Sequence, residues 1–374
     1  MAPVYALSIH ADYRCQHSGV CCSSDWDVPV ELPVYRSLDT ALDSGSLRVA
    51  AAAVDRRAAL IVEDDMPDEA AAMVARTAEG ECVFYHGTSR LCVIHRDLGQ
   101  ARLPSTCRHF PRLAVRDKRG TFISLTHYCP TAAAMLFRDD PPIEVVEAPS
   151  AFSPADYEGF LVEPDAWPPM LHPHMLMDDA GYDAWERHMV SRCADDAISP
   201  ESVLATLQRD ARALRGYTPG TGSLRDAVAG LPTDPVAAPP HEVLGPSLRL
   251  WAEVMRAVPE DLKLEPDEQR LPDAYVRAVV PEWARWDAPL RRYLAAKAFA
   301  SWTAYQGRGL LTIVRGLEAA LALVRVEAAR QCRNRERGLD AELLKEAFRQ
   351  ADFALNHLAV GEDLAEAWSR VEDR

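Results

Sequence analysis

The sequence predicts an α+β fold, mainly α, in which a small cysteine-rich module with short β-hairpins precedes an α-helical domain. Three observations predict it. Seven of the nine cysteines fall between positions 15 and 129. Two stretches inside that span alternate like hairpin arms. From about residue 150 onward, helix signals dominate.

The module begins with a loop, Cys15-Gln-His-Ser18-Gly19-Val-Cys21-Cys22, followed by Trp26-Asp-Val-Pro-Val, a short extended piece. Residues 31–80 read as helical, with Ala-rich stretches around 50–60 and 69–78. In ECVFYHGTSRLCVIHR, residues 81–96, two apolar runs flank a turn at Gly87, with Cys82 and Cys92 one in each arm. The form repeats over 112–127. Leu113-Ala-Val leads out of Pro111, a turn follows at Asp117 to Gly120, and Thr121 to Thr126 returns. Cys107 precedes this hairpin and Cys129 follows it. Cys129-Pro130 then opens an Ala-rich helix, Thr131 to Phe137.

A boundary is expected between Pro141-Pro142 and Pro154, giving a module over 1–148 and a helical domain over 149–374. Ser153-Pro154 and Ser199-Pro200 each place an N-cap Ser before Pro at the first helical position. After the second, Val203, Leu204, Leu207, Ala211 and Leu214 form one apolar face that stops near Gly216. Residues 216–240, rich in Gly and Pro, read as a long loop. Gly216 to Gly222 belongs to that loop, since no strand precedes it and Pro219 interrupts it. Residues 288–332 and 339–358 are strongly helical, and no solenoid-period repeat is present.

With 374 residues and 48% hydrophobic content, the chain can bury a large core. Leu310 to Val326 is interrupted by Arg315, Glu318 and Arg325, so it does not read as a membrane span. The N-terminus lacks the basic and apolar regions of a secretory signal. A cytoplasmic protein with no membrane partner is expected. The formal net charge of −15, from 56 acidic and 41 basic residues, argues against nucleic-acid binding, which needs basic surface. The acidity suits solubility and permits basic partners. Lysine occurs only at 118, 263, 297 and 345.

Clustered cysteines in a reducing compartment point to metal binding or redox chemistry rather than disulfides. Thiolates suit soft or borderline ions, meaning iron–sulfur clusters or zinc. The expected metal ligands are Cys15, Cys21, Cys22, Cys82, Cys92, Cys107 and Cys129. Adjacent Cys21 and Cys22 are expected to point apart, which implies a polynuclear centre or two sites. His86, His95, His109 and His127 lie close by in sequence as further ligands or supports. Cys193 and Cys332, alone on helical segments, read as buried apolar thiols. The vicinal Cys21-Cys22 pair also permits a redox or metal-carrier role.

The ordered text in this region resembles a known family. It comprises Cys15 to Cys22 with Trp26-Asp-Val-Pro29, Cys82-Val-Phe84, Cys92-Val-Ile94 with Leu98-Gly99, Cys107-Arg-His-Phe110-Pro111-Arg112, and Ser124-Leu-Thr-His-Tyr-Cys129-Pro130. Over residues 13–137 it is similar to the YkgJ-type CxxCxxCC cysteine-cluster family, most of all to its flagellin lysine N-methylase branch. Arg292-Tyr293-Leu294, Ala298-Phe299, Phe348 and Asn356-His357 resemble that branch more loosely.

The resemblance implies an iron–sulfur or zinc centre, and S-adenosylmethionine-dependent methylation of lysines on a protein partner, flagellin or another. The family's second cysteine is Ser18 here. Serine ligates iron and zinc poorly, so the centre would use the other cysteines or differ in kind. Neither a Gly-rich nucleotide turn nor C-x3-C-x2-C is present, so a cofactor site would be of another design. Tyr13, Trp26, Tyr85 and Tyr128 could line a lysine channel, or simply pack around the cysteine loops. Arg108 and Arg112 could bind a cofactor carboxylate, or form ordinary ion pairs. The competing reading is a zinc-stabilised recognition protein without catalysis.

Overall fold

The computed structural model describes residues 3–24, 26–51, 55–62, 66, 70–147, 167–263 and 270–373. It has mixed α+β structure, mainly helical. The chain divides into two units. The smaller is built on Arg14–Arg112. The larger takes Met1–Tyr13, the segment from Leu113 onward, and the C-terminal half. Residues 3–13 and 113–147, expected within the cysteine module, therefore belong to the larger unit. The boundary expected near Pro154 and the cap at Ser153-Pro154 lie outside the described residues.

In the smaller unit the helix Leu32–Ser44 buries Leu38, Ala41 and Leu42 and ends on Gly45 in the left-handed conformation. The described part of the second Ala-rich stretch that follows, residues 70–78, is not helical. Ala70–Val74 is the central strand of a three-stranded antiparallel sheet, between Pro29–Glu31 and Leu60–Ile61. Between 55 and 62 the only helical turn is Arg56–Ala58. Alanine's helix preference amounts to a few tenths of a kcal/mol per residue. Pairing Ala70–Val74 on both sides satisfies its backbone and buries Ala72 and Val74, which outweighs it.

The expected first hairpin is present in short form, with Tyr85–His86 paired to Leu91–Cys92. The left-handed residue of its loop is Arg90, not Gly87. Cys92 sits in an arm. Cys82 instead lies before the hairpin and bridges to Arg76.

In the larger unit the second hairpin forms as expected, Arg112–Asp117 followed by Gly120–Leu125. It belongs to a four-stranded sheet in the order Arg112–Asp117, Gly120–Leu125, Val4–Leu7, Val145–Glu147. Val4–Leu7 runs parallel to Gly120–Leu125, with Ala6 opposite Ile123. The strand Gly120–Leu125 is buried throughout.

Cys129 stands at the N-cap of Pro130–Met135. Ser199 caps Pro200–Leu214, whose expected face is buried. The expected loop after Gly216 contains one short helix, Leu224–Ala229, capped by Ser223. Most of the 26-residue helix Leu310–Arg335 is buried among the other helices. Its Arg325 pairs with buried Glu201 at 2.6 Å, and Glu201 also accepts from the Trp283 indole at 2.9 Å. Among the described residues no helix is long and apolar enough to cross a membrane. Cys193 and Cys332 are buried, as expected.

Candidate functional site

Five of the seven expected ligands, Cys21, Cys22, Cys82, Cys92 and Cys107, lie around one core in the smaller unit. Gly19, left-handed at φ 80°, starts the one-turn helix Val20–Ser23 that carries Cys21 and Cys22. The Cys82 N–H donates to the Cys22 carbonyl at 2.7 Å, tying two loops together. Cys92 ends its strand at the start of the helix Val93–Leu98. Cys107 lies on the short helix Ser105–His109.

The vicinal thiols do not point apart. Their Sγ atoms are 3.9 Å apart, because the tight turn at Gly19 brings them onto the same side. In a tetrahedral zinc thiolate, Zn–S bonds of about 2.3 Å give an S···S edge of roughly 3.8 Å.

The protons of this cluster are shared unequally. Hydrogen bonds to Cys21 and Cys92 push the Cys22 thiol far up. Its hydrogen bond favours the thiolate of Cys21, and brings Cys92 down to about 7. The Cys92 thiolate also gains from the His95 and Ile94 amides. Burial pushes Cys82 up to about 11 and Cys107 well above the ordinary thiol range. Neighbouring thiolates disfavour one another here, so full deprotonation calls for positive charge.

One protein cation already serves the cluster. Arg76 donates to the Cys22 carbonyl at 3.5 Å and to the Trp26 carbonyl, and its charge favours thiolates at Cys21, Cys82 and Cys107. Its buried Nε has no hydrogen-bond partner among the described residues. Tyr85 packs directly on Gly19, where an added Cβ would meet the phenol oxygen at 2.5 Å.

The other expected residues are placed differently. Cys15 is exposed, and its sulfur accepts from the His17 N–H at 3.4 Å. Cys129 belongs to the larger unit, buried, with its sulfur 3.6 Å from the Tyr13 hydroxyl. His86 bonds Ser89 at 2.8 Å, and the His95 ring lies against His17. His109 is buried beside Arg108. The four aromatics divide between the units. Trp26 packs on Phe110, while Tyr128 stacks on Phe353 in the larger unit. Among the described residues no three His, Cys, Asp or Glu side chains stand ready-formed as a metal shell. The converged donors are nonetheless all thiols, the chemistry soft metals select.

The larger unit holds a second polar cluster that the sequence reading missed. The parallel pairing of Val4–Leu7 with Gly120–Leu125 leads both chains out at the same end of the sheet, where the turn Ser8–His10 brings His10 beside His127. Their Nε2 atoms are 3.3 Å apart. Asp352, fully buried on Ala341–Phe353, accepts from the His127 N–H at 2.6 Å and from His127 Nδ1 at 3.1 Å. It also accepts from the Tyr293 hydroxyl at 2.7 Å and pairs with Lys297 at 2.5 Å.

Lys297 and the His127 hydrogen bond hold the Asp352 carboxyl well below its usual range, against the opposing effect of burial. Burial lowers His10 and His127, and brings His357 down to about 4. Asp352 as acceptor puts the His127 proton on Nδ1, so His10 donates from Nε2. His10 Nδ1 is then a buried acceptor without a partner among the described residues. The arrangement is a buried Asp–His–His hydrogen-bonded chain whose carboxylate is paired with a lysine. Its sequence signal was an acid in an apolar stripe, since Leu344, Phe348 and Asp352 follow at every fourth position.

Compared with known proteins, the chain matches no family model, no curated protein and no solved structure.

Proposed function

We propose that the smaller unit is a thiolate centre for a soft or borderline metal, iron–sulfur or zinc. Cys21, Cys22 and Cys92 are its primary donors, and Cys82 and Cys107 complete the donor set. The observation that carries this reading is the gathering of five cysteines from four segments around one core, with Cys21 and Cys22 Sγ atoms 3.9 Å apart. A bound cation supplies the positive charge that the crowded thiolates lack. Cys22 and Cys107, which hold their protons most firmly, release them on binding, so uptake is proton-coupled. Arg76 offsets the remaining negative charge.

The test is metal and sulfide analysis, with a visible spectrum, on protein purified without oxygen. Brown protein with iron and sulfide identifies a cluster, and colourless protein with stoichiometric zinc identifies a structural ion. Cys22→Ser and Cys92→Ser should lose the metal, and Cys15→Ser should keep it. Full metal content in both of the first two variants would overturn the assignment.

Lysine methylation is the wider reading, supported by the ordered cysteine motifs and their resemblance to the lysine N-methylase branch. In that reaction a neutral lysine amine attacks the sulfonium methyl of S-adenosylmethionine. The methyl–sulfur bond breaks and the amine gives up a proton. Labelled S-adenosylmethionine with flagellin and other lysine-rich proteins tests it. Incorporation that disappears in Cys92→Ser supports the reading, and none with metal-loaded protein refutes it for those acceptors.

A further inference from the structure

The larger unit contains a cleft of about 560 Å³ whose charge inverts that of the whole chain. Acidic residues outnumber basic ones 56 to 41 overall. The cleft is lined by five arginines, Arg212, Arg215, Arg256, Arg315 and Arg370, against Glu253 and Glu318. Both glutamates are engaged by one arginine. Arg315 bonds Glu253 through two contacts, at 2.9 and 3.1 Å, and Glu318 at 3.2 Å. Arg215 is held by Glu372 at 2.7 Å.

That leaves three guanidinium groups with no ion pair among the described residues, Arg212 acting on the Glu318 carboxylate only at longer range. Arg212 hydrogen-bonds the neutral Gln208 side chain, at 3.2 Å. Arg256 meets only the Ala252 carbonyl of its own helix, also at 3.2 Å. Among the described residues Arg370 has no ion pair or side-chain hydrogen bond. These residues come from three helical segments, the last turns of Pro200–Leu214 and Gly245–Arg256 and the C-cap of Gly361–Ser369. Their convergence is set by tertiary packing. Leu311, Val314 and Val371 add apolar surface to the same cleft.

We propose that this cleft binds a small organic anion carrying two or more negative charges, of the phosphate-ester or diphosphate class. Planar guanidinium forks match phosphate oxygens in pairs, and the apolar surface suits an organic body rather than a bare ion. The volume lies within the range of small-molecule sites. The site is independent of the thiol centre.

Calorimetric titration of the full chain with inorganic pyrophosphate, ADP and adenosine, at constant ionic strength, tests this. Saturable binding of pyrophosphate, tighter binding of ADP, and none of adenosine is the expected order. The double variant Arg256→Gln/Arg370→Gln should weaken both anions by about tenfold or more, as loss of charge-assisted bonds requires. Both arginines are exposed, so circular dichroism should show an unchanged fold. Arg212→Gln alone gives a second, milder loss. Arg285→Gln, whose arginine pairs with Glu282, should bind as wild type. No saturable binding of either anion, or equal binding by the double variant, would overturn the proposal. So would preference for a single-stranded oligonucleotide that displaces ADP, since the cleft would then belong to a longer polyanion.

Discussion

Asp352 is where one substitution should reveal the most about the larger unit. Its two oxygens serve different partners. Oδ2 takes both His127 bonds, and Oδ1 takes Tyr293 and Lys297. Asp352→Ala leaves a largely buried ammonium without its counter-charge, at a cost of about 3–5 kcal/mol. It also orphans neutral donors on His127 and Tyr293, each worth about 1–3 kcal/mol where no water reaches. These costs overlap, because the donors share one carboxylate, so about 4 kcal/mol is the expected loss. In a unit of this size that lowers Tm by roughly 7 °C. Asp352→Asn keeps one carbonyl oxygen. With that oxygen facing His127, the NH2 faces the donors Lys297 and Tyr293 and no counter-charge is restored, so most of the loss should remain.

The pH dependence has a definite sign. The depressed Asp352 carboxyl contributes fully above about pH 4, the unfolded value, and its contribution is lost as pH falls further. The histidines act in the same direction from higher pH. His10, His127 and His357 are held neutral when folded, so stability is complete above about pH 6.5. It declines as the unfolded chain takes up protons, through the His357 value of about 4. The wild-type-minus-Asp352→Ala difference should therefore be flat above about pH 5 and shrink below 4. Urea unfolding followed by tryptophan fluorescence across pH 4–8 measures the plateau, and thermal unfolding at lower pH follows the decline. A difference under 1 kcal/mol at pH 7 would refute the view of Asp352 as the charged hub.

Gly19→Ala should lower metal occupancy, because φ 80° disfavours a side chain and the new Cβ strikes Tyr85 beside the vicinal thiols. Metal analysis reads it directly. Ser199→Ala should cost about 1 kcal/mol in urea unfolding, through loss of the cap to the Ser202 N–H. Cys332→Ala should leave metal content unchanged and cost about 1 kcal/mol, since the thiol is buried among helix residues. Loss of metal in that variant would place a ligand outside the smaller unit.

Local features of the sequence determined a large part of the outcome. Alternation and turn residues set the hairpin Arg112–Gly120–Leu125, and Ser-Pro with an apolar stripe set Pro200–Leu214. Charges within Leu310–Arg335 distinguished a buried core helix from a membrane span, because each buried charge can find a partner in protein but not in lipid. Cysteine density marked the region of the thiol cluster. Each of these signals is local, carried within a few turns of chain.

Tertiary structure decided the rest. It turned an alanine run into the central strand Ala70–Val74, since pairing on both edges outweighs a weak helix preference. It assigned Cys129 to the larger unit and left Cys15 exposed, although spacing alone treated all seven cysteines alike. It also joined His10, His127, Lys297 and Asp352, which lie in four distant segments. No spacing rule links such residues, because their meeting depends on a parallel strand register and on two helices packing over its end.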